Sequence, residues 1–230
     1  MTAVVAIELS GPTTPWSAIG LAVVDGEAWV GGIALRWSPA DDTGDTDGTD
    51  GTDVTDVTDV TAEGIAVRSW TLAGSPATPD TIDGLATAHV GSIDDLAPVE
   101  WAHPLGVTSF DHLVVMTSSI ERTCGEIERV TLEPLKRIRE AGPVRQGFHR
   151  LGGMIVEVVE SDRVTAPVAS FWGFVWNVPG VDELYDVADR LGPDLLSAPK
   201  QAVQPGRFIA TFRPAAGLGV PVALMSPHAR

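Results

Sequence analysis

The sequence predicts an α+β protein made of tandem β-α-β-β-β modules. Three observations predict it. Residues 110–160 read as strand, helix, strand, strand, strand. Residues 170–226 read in the same order again. A looser version occupies the N-terminal hundred residues, so the chain reads as internally duplicated.

The N-terminal elements follow from alternation and turn chemistry. VVAIEL (4–9) reads as a strand and TPWSAIG (14–20) as one short helical turn. Residues 21–38 read as a hairpin with Asp25-Gly26 at its turn, because that dipeptide accepts positive φ. GIAVRSWTL (64–72) reads as a further strand. Residues 73–106, rich in Pro, Gly, Asp and Thr, read as a connector.

The second half has clearer periodicity. FDHLVVMT (110–117) is an apolar strand and SSIERTCGEIER (118–129) a helix, with Ser118 and Glu121 spaced as a capping box. PLKRIRE (134–140), RQGFHRL (145–151) and MIVEVVE (154–160) are strands separated by AGP and Gly152-Gly153 turns. SFWGFVWNV (170–178) opens the second copy. GVDELYDVADRLG (180–192) is its helix, stopped by Gly192-Pro193. A short irregular strand within 195–204, then GRFIATFRP (206–214) and VPVALMS (220–226), complete it. The division is thus a degenerate module at 1–100 and paired modules at 107–230, split at about 107–163 and 168–230. A single odd module leaves its sheet unpaired, so it is expected to dock on the pair or to pair across a homodimer.

Charge is placed unevenly. The 230 residues carry 15 Lys+Arg against 31 Asp+Glu, a formal net charge of −16. Residues 1–100 hold 17 acidic and 2 basic residues. Eight Asp fall in a repetitive Thr-Asp tract at 41–62, read as an acidic low-complexity insertion. Its period of three suits neither a helix nor a strand, and its uniform spacing is unlike a calcium loop. A surface this acidic argues against nucleic acid and against anionic membranes. No run approaches the roughly 20 apolar residues of a membrane span. The first residues do not read as a signal peptide, which leaves a cytoplasmic protein as the expectation. One Cys, Cys124, excludes an internal disulfide, and its helical spacing with Ile120 and Ile127 makes it a buried apolar residue.

FDHLVVMTSSIERT followed by FHRLGGMIVEVVE, then FWGFVWNVPGVDELYDVADRLGP with RFIATFRP and VPVALMSP, resembles the vicinal oxygen chelate superfamily, the glyoxalase and bleomycin-resistance-like group. The resemblance covers about 107–230 and extends to 1–72 only as a degenerate module. It implies modules whose strands form a curved mixed sheet, paired around a cavity that takes a small-molecule ligand, with metal ligands on the first and last strand of a module. Carried over, those positions fall on His112 and Glu157, a pair suited to Zn, Fe, Mn or Ni. In the second copy the same positions hold Gly173 and Ala223, which have no donor. A third ligand would have to come from His149, Gln146, the N-terminal module or a second chain. The resemblance therefore implies either a metal-dependent lyase, isomerase or dioxygenase acting on an oxygen-rich organic molecule, or a metal-free binding protein of the same fold with no cofactor.

Strand parity adds to this. If His112 faces the cavity, so do Val114 and Met116, with Gly173, Val175 and Asn177 beside them and Glu157 and Ala223 on the last strands. Met116, Gly173 and Ala223 then line a ligand space, with Gly173 and Ala223 leaving room for a bulky group. Glu157, in an otherwise apolar strand, suits a general base or a ligand, with a salt bridge to Arg145 or Arg150 as the alternative. Arg207 is read as an anion clamp or, preferably, a solvated strand-end arginine. By alternation with Phe148, His149 is expected at the surface. No phosphate loop, dinucleotide fingerprint or nucleophile elbow is present.

Overall fold

Alternation sets the first strand. β1 (Ala3–Ser10) sends Ile7 and Leu9 into the core and leaves Glu8 on the opposite face. The computed structural model describes residues 1–38, 65–92 and 101–227, and the acidic tract at 41–62 lies outside them. α1 (Thr14–Ala18) follows, with Pro15 in its first turn, and buries Trp16 completely. β2 (Glu27–Val30) and β3 (Ile33–Ser38) form the expected hairpin. Its turn is Gly31-Gly32, at φ 58° and 80°, and not Asp25-Gly26. Those angles are the positive φ at both central positions that a type I′ hairpin turn needs. Asp25-Gly26 makes an earlier tight turn, closed by the bridge between Val24 and Glu27.

β4 (Val67–Ala73) completes the strands expected in this half. Residues 73–106, read as a connector, add two more: β5 (Thr81–Ile82) and β6 (Leu85–Val90), joined through Asp83-Gly84. The first sheet has the order β2-β3-β1-β4-β6-β5. Its centre is the antiparallel pair β1–β4, flanked by the parallel pairs β1–β3 and β4–β6. Within the described residues this half therefore supplies its own paired sheet.

The second sheet repeats that arrangement. β7 (Ser109–Thr117), α2 (Ile120–Thr131), β8 (Arg137–Ala141), β9 (Val144–Leu151) and β10 (Met154–Ser161) come first. β11 (Ser170–Asn177), α3 (Val181–Leu191), β12 (Lys200–Gln201), β13 (Phe208–Thr211) and β14 (Val222–Met225) follow. Their order is β12-β13-β14-β11-β7-β10-β9-β8. β7 and β11 pair antiparallel at the centre, and each lies parallel to the last strand of its own unit. α2 is capped by Ser119 and not Ser118: the Ser119 hydroxyl accepts from the Arg122 N–H, and the Glu160 carboxylate takes the Ile120 N–H at 2.6 Å.

The two sheets share one core. Trp16 stacks on Phe174 at 6.0 Å between centroids and meets Trp176 edge-on at 6.1 Å. Trp70 of β4 meets Phe171 of β11 edge-on at 5.5 Å. A polar clamp joins the same halves: Asp83, at the β5–β6 turn, takes Arg122 Nε at 2.7 Å and the Thr123 hydroxyl from α2. No helix of the described residues is long and apolar enough to cross a membrane.

Candidate functional site

The second sheet has one face in the shared core and one face turned away from it. Register places the residues of the second face in rows. Arg137, Phe148, Glu157 and Val114 lie side by side across β8, β9, β10 and β7. Arg139, Gln146, Val159 and Met116 form the next row, and Arg150, Ile155, His112 and Val175 a third. His112 and Glu157 are diagonal neighbours on adjacent strands, within reach of each other.

A bulge brings in a residue that alternation hides. His112 pairs with Val175, but Trp176 pairs with Phe110, so Asp111 is an extra residue on β7. Bulges re-aim side chains. Phe110 turns into the core against Phe174 and Trp176, and Asp111 joins His112 on the second face. Asp111 was not a sequence candidate, since parity places it with Leu113 and Val115. Asp-His adjacency was visible, but the bulge depends on pairing with β11.

The result is a continuous polar chain. Asp111 Oδ2 accepts from His112 Nδ1 at 2.8 Å, and Asp111 Oδ1 accepts from Arg207 Nη2 at 2.6 Å. Arg207 also donates to Asn177 Oδ1 at 2.8 Å, Gln204 Oε1 at 2.7 Å and the Ser226 carbonyl at 2.8 Å. It is 7% exposed, so the preferred reading of a solvated strand-end arginine is corrected. Its guanidinium finds a carboxylate, two side-chain amide oxygens and a carbonyl, which offset the cost of burial. On the other side of the imidazole, Nε2 stands 3.4 Å from Glu157 Oε2. Glu157 Oε1 takes a hydrogen bond from Gln146 Nε2 at 2.6 Å, and Gln146 Oε1 accepts from Arg139 Nε at 2.9 Å. The alternative of a salt bridge from Glu157 to Arg145 is also corrected. Arg145 lies on the helix side of β9, paired with Glu121, Glu140 and Glu160.

The two carboxylates are tuned in opposite directions. Burial pushes Glu157 above the ordinary carboxylate range, more than the nearby His112, Arg139 and Arg137 draw it down. Burial also acts to raise Asp111, but the hydrogen bonds from His112 and Arg207 outweigh it and hold Asp111 low. Asp111 therefore stays ionised and accepts the Nδ1 proton, which orients Nε2 toward Glu157.

The other half of the face is apolar. Val175, Ala223 and Met225 cluster with Ala202 and Ile209. Met116 is half-buried opposite Val159. The room expected beside Gly173 is taken: a Cβ there would sit 2.1 Å from the Pro221 carbonyl oxygen. Gly173 permits a close backbone approach and does not open ligand space. His149, expected at the surface, is 1% exposed on the helix side of β9, where Nδ1 meets the Glu133 carbonyl at 3.1 Å. Parity with Phe148 was right about opposite faces. The side taken for surface is the one α2 covers.

The fold's implied metal can be tested against these residues. A separation of 3.4 Å suits two ligands of one small divalent ion. Among the described residues, however, no three His, Cys, Asp or Glu side chains are arranged to hold one metal ion. Asp111 is committed behind His112, and both ends of the Gln146 amide are taken. Two donors do not make the three-ligand set of a resident catalytic ion. An open cavity of about 520 Å³ lies at the edge of the first sheet, lined by Glu8, Glu27, Arg36, Trp37 and Trp101 among others. Its arginine, Arg36, lies 2.8 Å from Glu27 and 3.6 Å from Glu8.

No protein-family model matches the chain, and no curated protein matches it in sequence. Solved structures match in shape. A triple mutant of 4-hydroxymandelate synthase from Streptomyces coelicolor aligns over 99% of this chain and 93% of its own, at 14% identity and a TM-score of 0.58. Methylmalonyl-CoA epimerase from Mycobacterium tuberculosis aligns over 56% of this chain and 95% of its own, at 12% identity and a TM-score of 0.47. A hypothetical protein from Bacillus halodurans aligns over 53% and 96%, at 15% identity and a TM-score of 0.44. The match to the synthase runs through both sheets and speaks for the fold. With its centre of antiparallel β7 and β11, each parallel to the last strand of its own unit, the chain has the fold of the vicinal oxygen chelate superfamily.

Proposed function

We propose that the second face of the β7–β14 sheet binds a small oxygen-rich organic molecule and that Glu157 and His112 move a proton on it. The observation that carries this reading is the Glu157–His112–Asp111 chain, half open at one end and anchored on buried Arg207 at the other. Glu157 and His112 are each 13% exposed, enough to meet a ligand and too little to be solvated as free side chains.

The chemistry follows from the donors. Glu157 Oε2 carries no hydrogen bond from Gln146, and burial makes it a stronger base than an ordinary carboxylate. When His112 carries a proton on Nε2, that proton lies beside the same space. A C–H bond next to a carbonyl would break with its proton going to Glu157 Oε2. The electron pair would move onto the carbonyl oxygen, which takes the Nε2 proton. Asp111 holds the ring through both states. No step is routed through a metal, because the donor set is incomplete.

The test is deuterium uptake by hydroxyacetone and pyruvate in D₂O, followed by NMR. Uptake that Glu157→Gln abolishes supports proton transfer. Perturbation of the His112 ring by either compound with no uptake leaves the face as a metal-free binding site, the second reading. That reading draws support from the apolar cluster of Val175, Ala223 and Met225, which offers packing and no chemistry.

A further inference from the structure

We infer that the ligand of this face is an organic anion whose carboxylate or phosphate seats on Arg137 and Arg139 at the β8 edge. The inference rests on the site proposed at Glu157 and His112 and names the class of molecule it takes.

Three arginines share the second face: Arg137 and Arg139 on β8 and Arg150 on β9. Among the described residues none of them has a carboxylate within salt-bridge distance. This is unexpected in a chain with 31 acidic and 15 basic residues. The opposite face of the same strands behaves differently. There Arg145 is held by Glu121 at 2.7 Å, Glu160 at 3.1 Å and Glu140 at 3.3 Å. Where this part of the sheet has only a structural task, its arginine is paired. Where it faces the candidate site, the arginines are left for another partner.

Their geometry suits an anion. The central guanidinium carbon of Arg137 lies over the Phe148 ring, 4.7 Å from its centre, a contact that leaves the guanidinium's hydrogen-bonding capacity for an anion. Arg139 is oriented by Gln146 Oε1, and the same amide donates to Glu157. Arg137 thus shares a row with the proposed base, and Arg139, in the next row, is linked to that base through the Gln146 amide. Strands lie about 4.8 Å apart, so β8 and β10 are separated by roughly 10 Å at the backbone. A molecule of a few carbons, anionic at one end and carrying a carbonyl at the other, spans that gap once the side chains lean inward. Bidentate pairing with a carboxylate or phosphate is the geometry in which arginine excels.

Three probes test this: oxalate, methyl phosphate and neutral hydroxyacetone. Each is titrated while calorimetry reads affinity and NMR reads the His112 ring, assigned by its loss in His112→Ala. The expected result is that at least one anion saturates, shifts His112, and binds at least ten-fold more weakly to the Arg137→Gln/Arg139→Gln protein. The two side chains are exposed or half-buried, so that variant keeps the wild-type melting temperature. Oxalate alone indicates a carboxylate ligand, and methyl phosphate alone a phosphate. Anion binding unchanged by the two substitutions overturns the inference. So does a His112 shift with hydroxyacetone and none with either anion, although the proposed site survives both results. If no probe moves His112, the site itself is wrong and the inference falls with it.

Discussion

Arg207 Nη2 lies 2.6 Å from Asp111 Oδ1 across 96 residues of sequence, and both side chains are only 8% exposed. The pair joins β7 to the segment before β13 and holds the imidazole of His112 from behind. Breaking a buried pair by removing one partner leaves an uncompensated charge and costs about 3–5 kcal/mol. Arg207→Gln should therefore lower the melting temperature by roughly 10 °C, at about 2–4 °C per kcal/mol for a chain of this size. Asp111→Asn/Arg207→Gln should cost less than the two single changes combined, read by denaturant unfolding of all four proteins. Because Asp111 is held low when folded, its contribution is present above the ordinary Asp range and is lost as pH falls through its lowered value. The stability gap between wild type and Asp111→Asn should close on acidification.

Glu157 carries the opposite sign. Burial raises its folded pKa, so the native state holds this proton more tightly than the unfolded chain does. Its effect on stability worsens as pH rises from the ordinary Glu range through the raised value. Glu157→Gln should stabilise the protein at neutral pH by about 2–4 °C, corresponding to ~1 kcal/mol. The gain should vanish at pH values where both states are protonated. Melting curves across pH check this, and deuterium uptake should be lost in the same variant.

Two glycines separate close approach from open space. A Cβ at Gly173 would meet the Pro221 carbonyl at 2.1 Å, whereas one at Gly125 in α2 meets nothing within 4 Å. Gly173→Ala should destabilise by about 1–3 kcal/mol, the range of overpacking. Gly125→Ala should stabilise by roughly 0.5–1 kcal/mol, because alanine restores helix propensity. Urea unfolding of the two variants measures both.

Cys124 should behave as packing. Burial, with Glu121 and Glu128 nearby, pushes its thiol up to about 12. Its sulfur lies against Gly147, where a Cβ would come within 2.8 Å. A thiol reagent at pH 8 should label unfolded protein promptly and native protein at the rate of unfolding.

Metal content checks the donor argument. Protein purified without a chelating tag should hold less than roughly one tenth of an equivalent of transition metal, because working sites take about three protein ligands. A stoichiometric ion that His112→Ala removes would show that a third donor completes the site.

Local pattern is enough to find most strands and the three α-helices of the described residues, because apolar alternation and 3.6-residue periodicity are written residue by residue. His112, Val114 and Glu157 share a face for the same reason: β7 and β10 alternate regularly at those positions. The hairpin turn was misplaced because Asp25-Gly26 and Gly31-Gly32 both adopt positive φ, and only cross-strand pairing shows which one joins β2 to β3. β5 has only two residues, and β6 (LATAHV) carries too little apolar contrast for alternation to mark it; both become strands by pairing with each other and, for β6, with β4.

The site shows the same boundary. The residue types, their alternation and the likeness of two successive units are properties of the linear chain, and they lead to the fold; the resemblance they carry to the vicinal oxygen chelate superfamily leads to His112 and Glu157. Asp111 entered through a bulge, and a bulge exists only against a partner strand, here β11. Arg207 became buried because Asp111, Asn177, Gln204 and Ser226, far apart in the chain, converge on its guanidinium. His149 turned inward because α2 covers the side of β9 that alternation could not label as core or solvent. Periodicity tells which side chains point together. Which of those sides meets another element, and where register shifts by one residue, depends on long-range pairing that no local pattern encodes.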